Sequence, residues 1–253
     1  MAIRDPAAGA VASDVTPARL PASAGIGAAL RWVAVEFGIR AAGGAAVWIA
    51  LWERGGVRPS PGLLIATEAV AGALAFGILG AWFDRYRRRA GLGLGSMGYR
   101  LSWAAAAAGA AAGAGLFAGL YPASMVDGRV FGPVAYEALA QGFREASLMV
   151  TLMFLVENGL LAPVVEEFVW RGIIQSVLAG AWSPGAALLA TAAMFAAKHV
   201  VVDLSVSRTT VLIASSLMLG AVRWRWGTGA STISHVVLNL SATAVVIFEA
   251  RSR

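Results

Sequence analysis

The chain has no cysteine, a single lysine and only two histidines in 253 residues. Without cysteine there are no disulfides, no thiol catalysis and no Cys-ligated zinc. Charge is scarce as well: 13% of residues are charged, against roughly 25% in a typical soluble domain. Neither H-E-x-x-H nor G-x-S-x-G occurs, so two familiar protease signatures are missing. Ser234 beside His235 does not by itself make a Ser–His dyad. No segment alternates with period two for long enough to be a barrel strand.

What fills the chain instead is apolar: 58% of it, with a mean hydropathy of +0.72. The apolar residues come in long runs, and about 20 in a row is what a bilayer core asks of a crossing helix. The runs lie near 27–52, 62–83, 101–121, 146–180, 184–200, 208–222 and 229–249. They predict an all-α fold, a polytopic transmembrane bundle of six to eight helices. Residues 1–24 read as a flexible N-terminal tail. Residues 25–145 read as N-terminal membrane helices without a motif, and 146–249 as the functional region.

Several local features refine this reading. Arg31, Glu36 and Arg40 interrupt the first run and suggest that its early part lies at the interface. Arg54, Arg58, Pro59 and Pro61 mark a turn. The third run is nearly all Ala and Gly, and Gly109/Gly113 and Gly115/Gly119 have the spacing that lets helices approach closely in lipid. Pro122, Asp127, Gly128 and Pro133 mark 122–145 as a polar connection. The 146–180 run contains Pro163 and exceeds one crossing, so it is one kinked helix or two segments.

The net charge of +6 comes almost wholly from arginine beside apolar runs. That placement suits a membrane boundary and the lipid bilayer as partner, not nucleic acid. The cluster Arg85, Arg87, Arg88 and Arg89 puts the 85–100 loop, and with it the N-terminus, in the cytoplasm by the positive-inside rule. Arg223-Trp224-Arg225-Trp226 reads as an interfacial anchor. Gly93-Leu-Gly95-Ser-Met-Gly98 has dinucleotide-motif spacing but follows an Arg cluster, not a strand. Asn239-Leu-Ser241 is a sequon inside an apolar run.

Ionisable residues at membrane depth are costly and call for a partner or a function. Glu166, Glu167, Arg171, His199 and His235 all lie in apolar runs, and the two histidines are the chain's full complement. Glu167 and Arg171, four apart, share a helix face and can pair. Glu166 is turned about 100° away and has no basic partner three or four residues off, so it stays available as a general base. His235 and Asn239, again four apart, can aim two donors at one point, as an oxyanion requires. With His199 they present a base, a water-orienting group and an oxyanion pair from three consecutive apolar segments. Equally, Glu166, His199 and His235 offer a Glu/His set for a divalent metal such as zinc.

Pro163-Val-Val-Glu166-Glu167-Phe-Val-Trp-Arg171-Gly172 resembles the first motif, Glu-Glu-x-x-x-Arg, of the CAAX-prenyl-protease/bacteriocin-processing (CPBP) family. Phe195-Ala-Ala-Lys-His199 resembles its Phe-x-x-x-His motif, and His235-Val-Val-Leu-Asn239 its His-x-x-x-Asn motif. Order and spacing agree over roughly 146–245. The resemblance implies a membrane-embedded helical endopeptidase acting on a membrane-bound protein or peptide, and the Arg-, Ala- and Gly-heavy composition suggests a bacterium and its inner membrane. It implies Glu166 as the residue activating water and Glu167 as the partner of Arg171. His199 would hold the water, and His235 with Asn239 would stabilise the oxyanion. Trp170 stands where many members have Phe, and Lys198 adds a positive charge beside His199. A proton-coupled transporter and a non-catalytic immunity or chaperone protein are the competing readings. All the deep polar residues falling in one half of the chain disfavours the transporter.

Overall fold

The computed structural model describes residues 20–52, 58–132 and 136–252. Most of the expected N-terminal tail, Arg54 of the expected turn, and Pro133 lie outside the described residues. Eight helices and no strand occur among the described residues: α1 (Ala22–Trp52), α2 (Pro61–Arg89), α3 (Trp103–Val130), α4 (Tyr136–Glu145), α5 (Leu148–Ala181), α6 (Pro184–Val202), α7 (Thr209–Trp226) and α8 (Thr228–Ser252). Serine fixes four helix starts. Ser60, Ser102, Ser147 and Ser183 accept the N–H of Leu63, Ala105, Val150 and Ala186 at 3.1–3.3 Å, and Pro61 and Pro184 follow at the position where a missing N–H costs nothing.

Six helices, α1, α2, α3, α5, α6 and α8, are long and apolar enough to cross a membrane. This supports an integral membrane protein. Large apolar side chains such as Leu30, Trp48, Leu74, Leu189 and Phe248 face outward, as lipid-facing surfaces do. α7, expected as a further span, is helical but is not one of the six. It buries Ser215 and Ser216 instead. The expected connection at 122–145 is a misreading, because most of it is helical. Asp127 is buried and accepts the Thr210 and Val211 N–H groups at 2.8 and 2.9 Å, capping the positive end of α7. α4 is amphipathic and seats Phe143 against Phe154, with ring centroids 5.2 Å apart.

The two glycine pairs of α3 part company. A methyl group on Gly109 or Gly113 would come 2.5 Å from the Ala230 or Ser234 carbonyl oxygen of α8, so the first pair is a close helix crossing. Gly115 and Gly119 meet nothing within 4 Å. The Gly93–Gly98 loop follows a helix, not a strand, so the dinucleotide-motif context is absent. It docks on the α7–α8 turn, where the Gly98 carbonyl accepts the Thr228 N–H at 2.8 Å. Gly98 and Gly227 both have positive φ there, 81° and 91°.

α5 is one continuous helix with no break at Pro163, and two wider π turns explain this. They span Glu157–Leu161 and Glu167–Ile174. The first relaxes the backbone just before the ring that would otherwise clash with the preceding turn. An aromatic column runs inward from α1: Trp32 lies 6.2 Å from Trp170, Trp170 5.4 Å from Phe195, and Phe195 5.0 Å from His199. It fills the space beside the polar centre and leaves its groups little room to rotate.

Candidate active site

The second π turn of α5 begins at Glu167, and π turns recur at functional sites. Glu167 and Arg171 pair as expected, Oε1 to Nη1 at 3.2 Å, both fully buried. Arg171 also donates to Ser216 Oγ at 3.1 Å and lies 4.7 Å over the Phe195 ring. The Glu167 carboxylate has two further partners on α8. Ser231 Oγ donates to Oε2 at 2.5 Å, and His235 Nδ1 meets Oε1 at 3.0 Å. With Nδ1 hydrogen-bonded to a carboxylate, the neutral ring carries its proton there and turns a bare Nε2 outward. That Nε2 lies 3.8 Å from Glu166 Oε2.

His199 repeats the pattern from the other side. Its Nδ1 is 3.3 Å from Asp203 Oδ2, and its Nε2 is 3.9 Å from Glu166 Oε1. Asp203 is tied in turn to Arg208 at 2.5 Å. Beyond the end of α6, burial works against the Asp203 charge. The hydrogen bond from His199 and the charges of His199, Arg208 and Lys198 outweigh it, and hold the carboxyl below the usual carboxylate range. Glu166 thus stands between two imidazoles, each oriented by its own carboxylate. α7 lies between α6 and α8 in the chain, so the three contributing segments are not consecutive as expected.

Glu166 is not free of basic partners. Lys198 Nζ lies 2.5 Å from its Oε1 and 3.1 Å from Glu36 Oε2. Local spacing on α5 cannot reveal this, because the partner comes from α6. Glu36 is buried within the protein: it accepts from Trp32 Nε1 at 2.6 Å and from Arg40 Nε at 3.3 Å. Arg40 continues to Glu68 at 2.5 Å and to Glu157 at 3.5 Å. The deep polar residues therefore span both halves of the chain. Motif reading noted Lys198 only as a charge beside His199 and Glu36 only as an interruption of the first run, and it missed that both join Glu166. The available signal was an intramembrane Glu with Trp and Arg four residues to either side, and the only lysine in the sequence.

Asn239 does not converge with His235 in its recorded hydrogen bonding. Its Nδ2 donates to the Asn158 carbonyl at 3.0 Å, and Asn158 Nδ2 donates to Thr243 Oγ1 at 2.8 Å. The amide thereby ties α8 to the first π turn of α5. The centre is closely packed. Glu166, Lys198 and Glu36 are each at most 3% exposed, and the His199 side chain is the more open of the two imidazoles at 18%.

The divalent-metal alternative on Glu166, His199 and His235 is a poor match to this geometry. Among the described residues no group of three or more His, Asp or Glu is arranged to hold a metal ion. The Lys198 ammonium already sits on Glu166 Oε1, where a dication would be repelled.

Residues 148–241 match the Rce1-like family model, described as type II CAAX prenyl endopeptidase Rce1-like. The matched segment carries all three motifs and supports the CAAX-protease resemblance read from them. No curated protein and no solved structure matches the chain.

Proposed function

Taking residues 148–241 as an Rce1-like protease domain, we propose that the protein is a membrane-embedded endopeptidase whose general base is Glu166. One observation carries this reading. The Glu166 carboxylate faces the Nε2 edges of His199 and His235 at 3.9 and 3.8 Å, and both rings are fixed through Nδ1. A water held among these groups is positioned to attack a peptide carbonyl.

The two carboxylate oxygens have different duties. Oε1 is held by Lys198, so Oε2, which faces His235, receives the proton as the water oxygen bonds to the scissile carbon. The carbonyl oxygen becomes an oxyanion, for which the second amide hydrogen of Asn239 on α8 is the assigned donor, while the bare Nε2 of His235 orients the attacking water. Collapse of the tetrahedral species breaks the C–N bond. The leaving amine takes the proton back from Glu166, which closes the cycle. Glu167, Asp203 and Ser231 act as positioning residues through the two rings.

The substrate is a membrane-associated protein or peptide, since the site lies within helices suited to a bilayer. By the positive-inside rule the Arg85–Arg89 end of α2 faces the cytoplasm, which in a bacterium makes the inner membrane the location. The carrier reading draws on a different observation: an ion-pair chain from the half-exposed Glu68 through Arg40, Glu36 and Lys198 to Glu166. Reconstitution with a membrane-peptide library separates the two. The peptidase reading expects cleavage by the wild type, lost in Glu166→Gln and His235→Ala variants that remain folded. Cleavage that persists in folded Glu166→Gln protein would refute it. Proton uptake without cleavage, lost with Glu166, would favour the carrier.

A further inference from the structure

A second polar site lies away from Glu166, where the α2–α3 loop meets the α7–α8 turn. A cavity of about 630 Å³ is lined there by Arg100, Arg223, Arg225, Ser102, Trp224 and Trp226, among others. Among the described residues none of the three arginines has an acidic partner within salt-bridge distance. Arg223 donates one Nη2 bond to Ser176 Oγ, while its buried Nε has no partner. Arg225 stacks on the Trp226 ring at 5.6 Å, which fixes its guanidinium near the cavity.

Two features add to the charge. α3 begins at the cavity: Ser102 takes the Ala105 N–H, and the N–H groups of Trp103 and Ala104 have no acceptor within their own helix. The helix dipole favours an anion at that end. The rim is apolar and outward-facing. Trp103 is 93% exposed, and Leu101, Trp224 and Trp226 are exposed beside it. Simple interfacial anchoring explains a row of Arg and Trp. It does not explain three guanidiniums without an acidic partner in contact, gathered round one cavity.

We propose that this cavity binds the phosphate of an anionic lipid headgroup. The three guanidiniums and the α3 N-terminus take the phosphate oxygens, and the acyl chains run out along Leu101 and Trp103. A cationic floor with an apolar outer rim suits a ligand that is anionic at one end and hydrocarbon at the other. The loop and turn that form the cavity are joined by the Thr228 to Gly98 hydrogen bond. The cavity therefore lies on the same side as the Arg85–Arg89 cluster, the side a negative leaflet would face. The assignment goes beyond peptide cleavage, and its test needs no activity.

The test uses the full chain in nanodiscs of dioleoylphosphatidylcholine, with and without dioleoylphosphatidylglycerol, read by native mass spectrometry and thermal unfolding. Phosphatidylglycerol should remain bound and raise the unfolding midpoint. An R100Q/R225Q variant should weaken its retention about 25-fold, from roughly five-fold per arginine removed. R85Q/R89Q, which removes two exposed charges from the same side but outside the cavity, takes away only diffuse surface attraction and should weaken retention clearly less. Equal retention of the two lipids overturns the proposal, and so does an equal loss in R85Q/R89Q. Inorganic phosphate alone reproducing the whole stabilisation overturns the lipid assignment in favour of a soluble anion.

Discussion

Removing Lys198 tests the polar centre most directly. Its ammonium lies 2.5 Å from Glu166 and 3.1 Å from Glu36, and all three side chains are almost fully buried. Lys198→Met keeps the length of the side chain and deletes the charge. Glu36 would retain Arg40 and Trp32, so the stranded carboxylate is Glu166. Breaking a buried ion pair from one side costs about 3–5 kcal/mol. At about 2–4 °C per kcal/mol for a chain of this size, the midpoint should fall by roughly 6–20 °C. Tryptophan fluorescence during thermal unfolding is a suitable assay, because Trp32 donates to Glu36 and packs beside Trp170. Lys198→Met/Glu166→Gln removes both charges and should be more stable than Lys198→Met alone, by about 1–3 kcal/mol. Lys198→Met/Glu36→Gln should recover less, because Arg40 still compensates Glu36. A single variant within about 1 kcal/mol of wild type, or a double variant that merely adds the two losses, would refute the network as described.

Other outcomes follow from the same geometry. Gly113→Ala puts a methyl group 2.5 Å from the Ser234 carbonyl and 2.8 Å from Val237 Cβ. It should cost about 1–3 kcal/mol and reduce cleavage by displacing His235, while Gly115→Ala changes neither; equal effects from both would be inconsistent with the crossing. The Asp203 carboxyl is held below its usual range, so its contribution is present above the unfolded value near ~3.9 and fades as pH falls through the folded value. Asp203→Asn should therefore lose less stability than wild type on acidification below about pH 4, and parallel acid-unfolding curves would contradict the assignment. A chelator should leave cleavage unchanged, because the Lys198 ammonium beside Glu166 would repel a dication; loss of activity restored by zinc would reverse that conclusion.

The membrane class, the all-α fold and the three motif helices were legible because they depend on short-range properties. Hydropathy runs report burial in lipid, and four-residue spacing reports a shared helix face, as the Glu167–Arg171 pair bears out. Spacing was a poor guide where an interaction crosses between helices. Gly109/Gly113 and Gly115/Gly119 have the same pattern, yet only the first meets a neighbour. Asp127 looked like a loop residue because its partners, Thr210 and Val211, lie 83 and 84 positions away.

From the sequence by itself come the scarcity of charge, the two histidines, the Glu-Glu-x-x-x-Arg run and the helices that carry them. These suffice to say that the chain belongs in a bilayer and which residues are candidates for chemistry. Only the tertiary structure decided that Lys198 holds one oxygen of Glu166 and leaves the other towards His235, and that Glu36 completes the centre from α1. The reason is range. A helix dictates its own neighbours through its repeat, but which charge meets a buried carboxylate depends on how the helices cross.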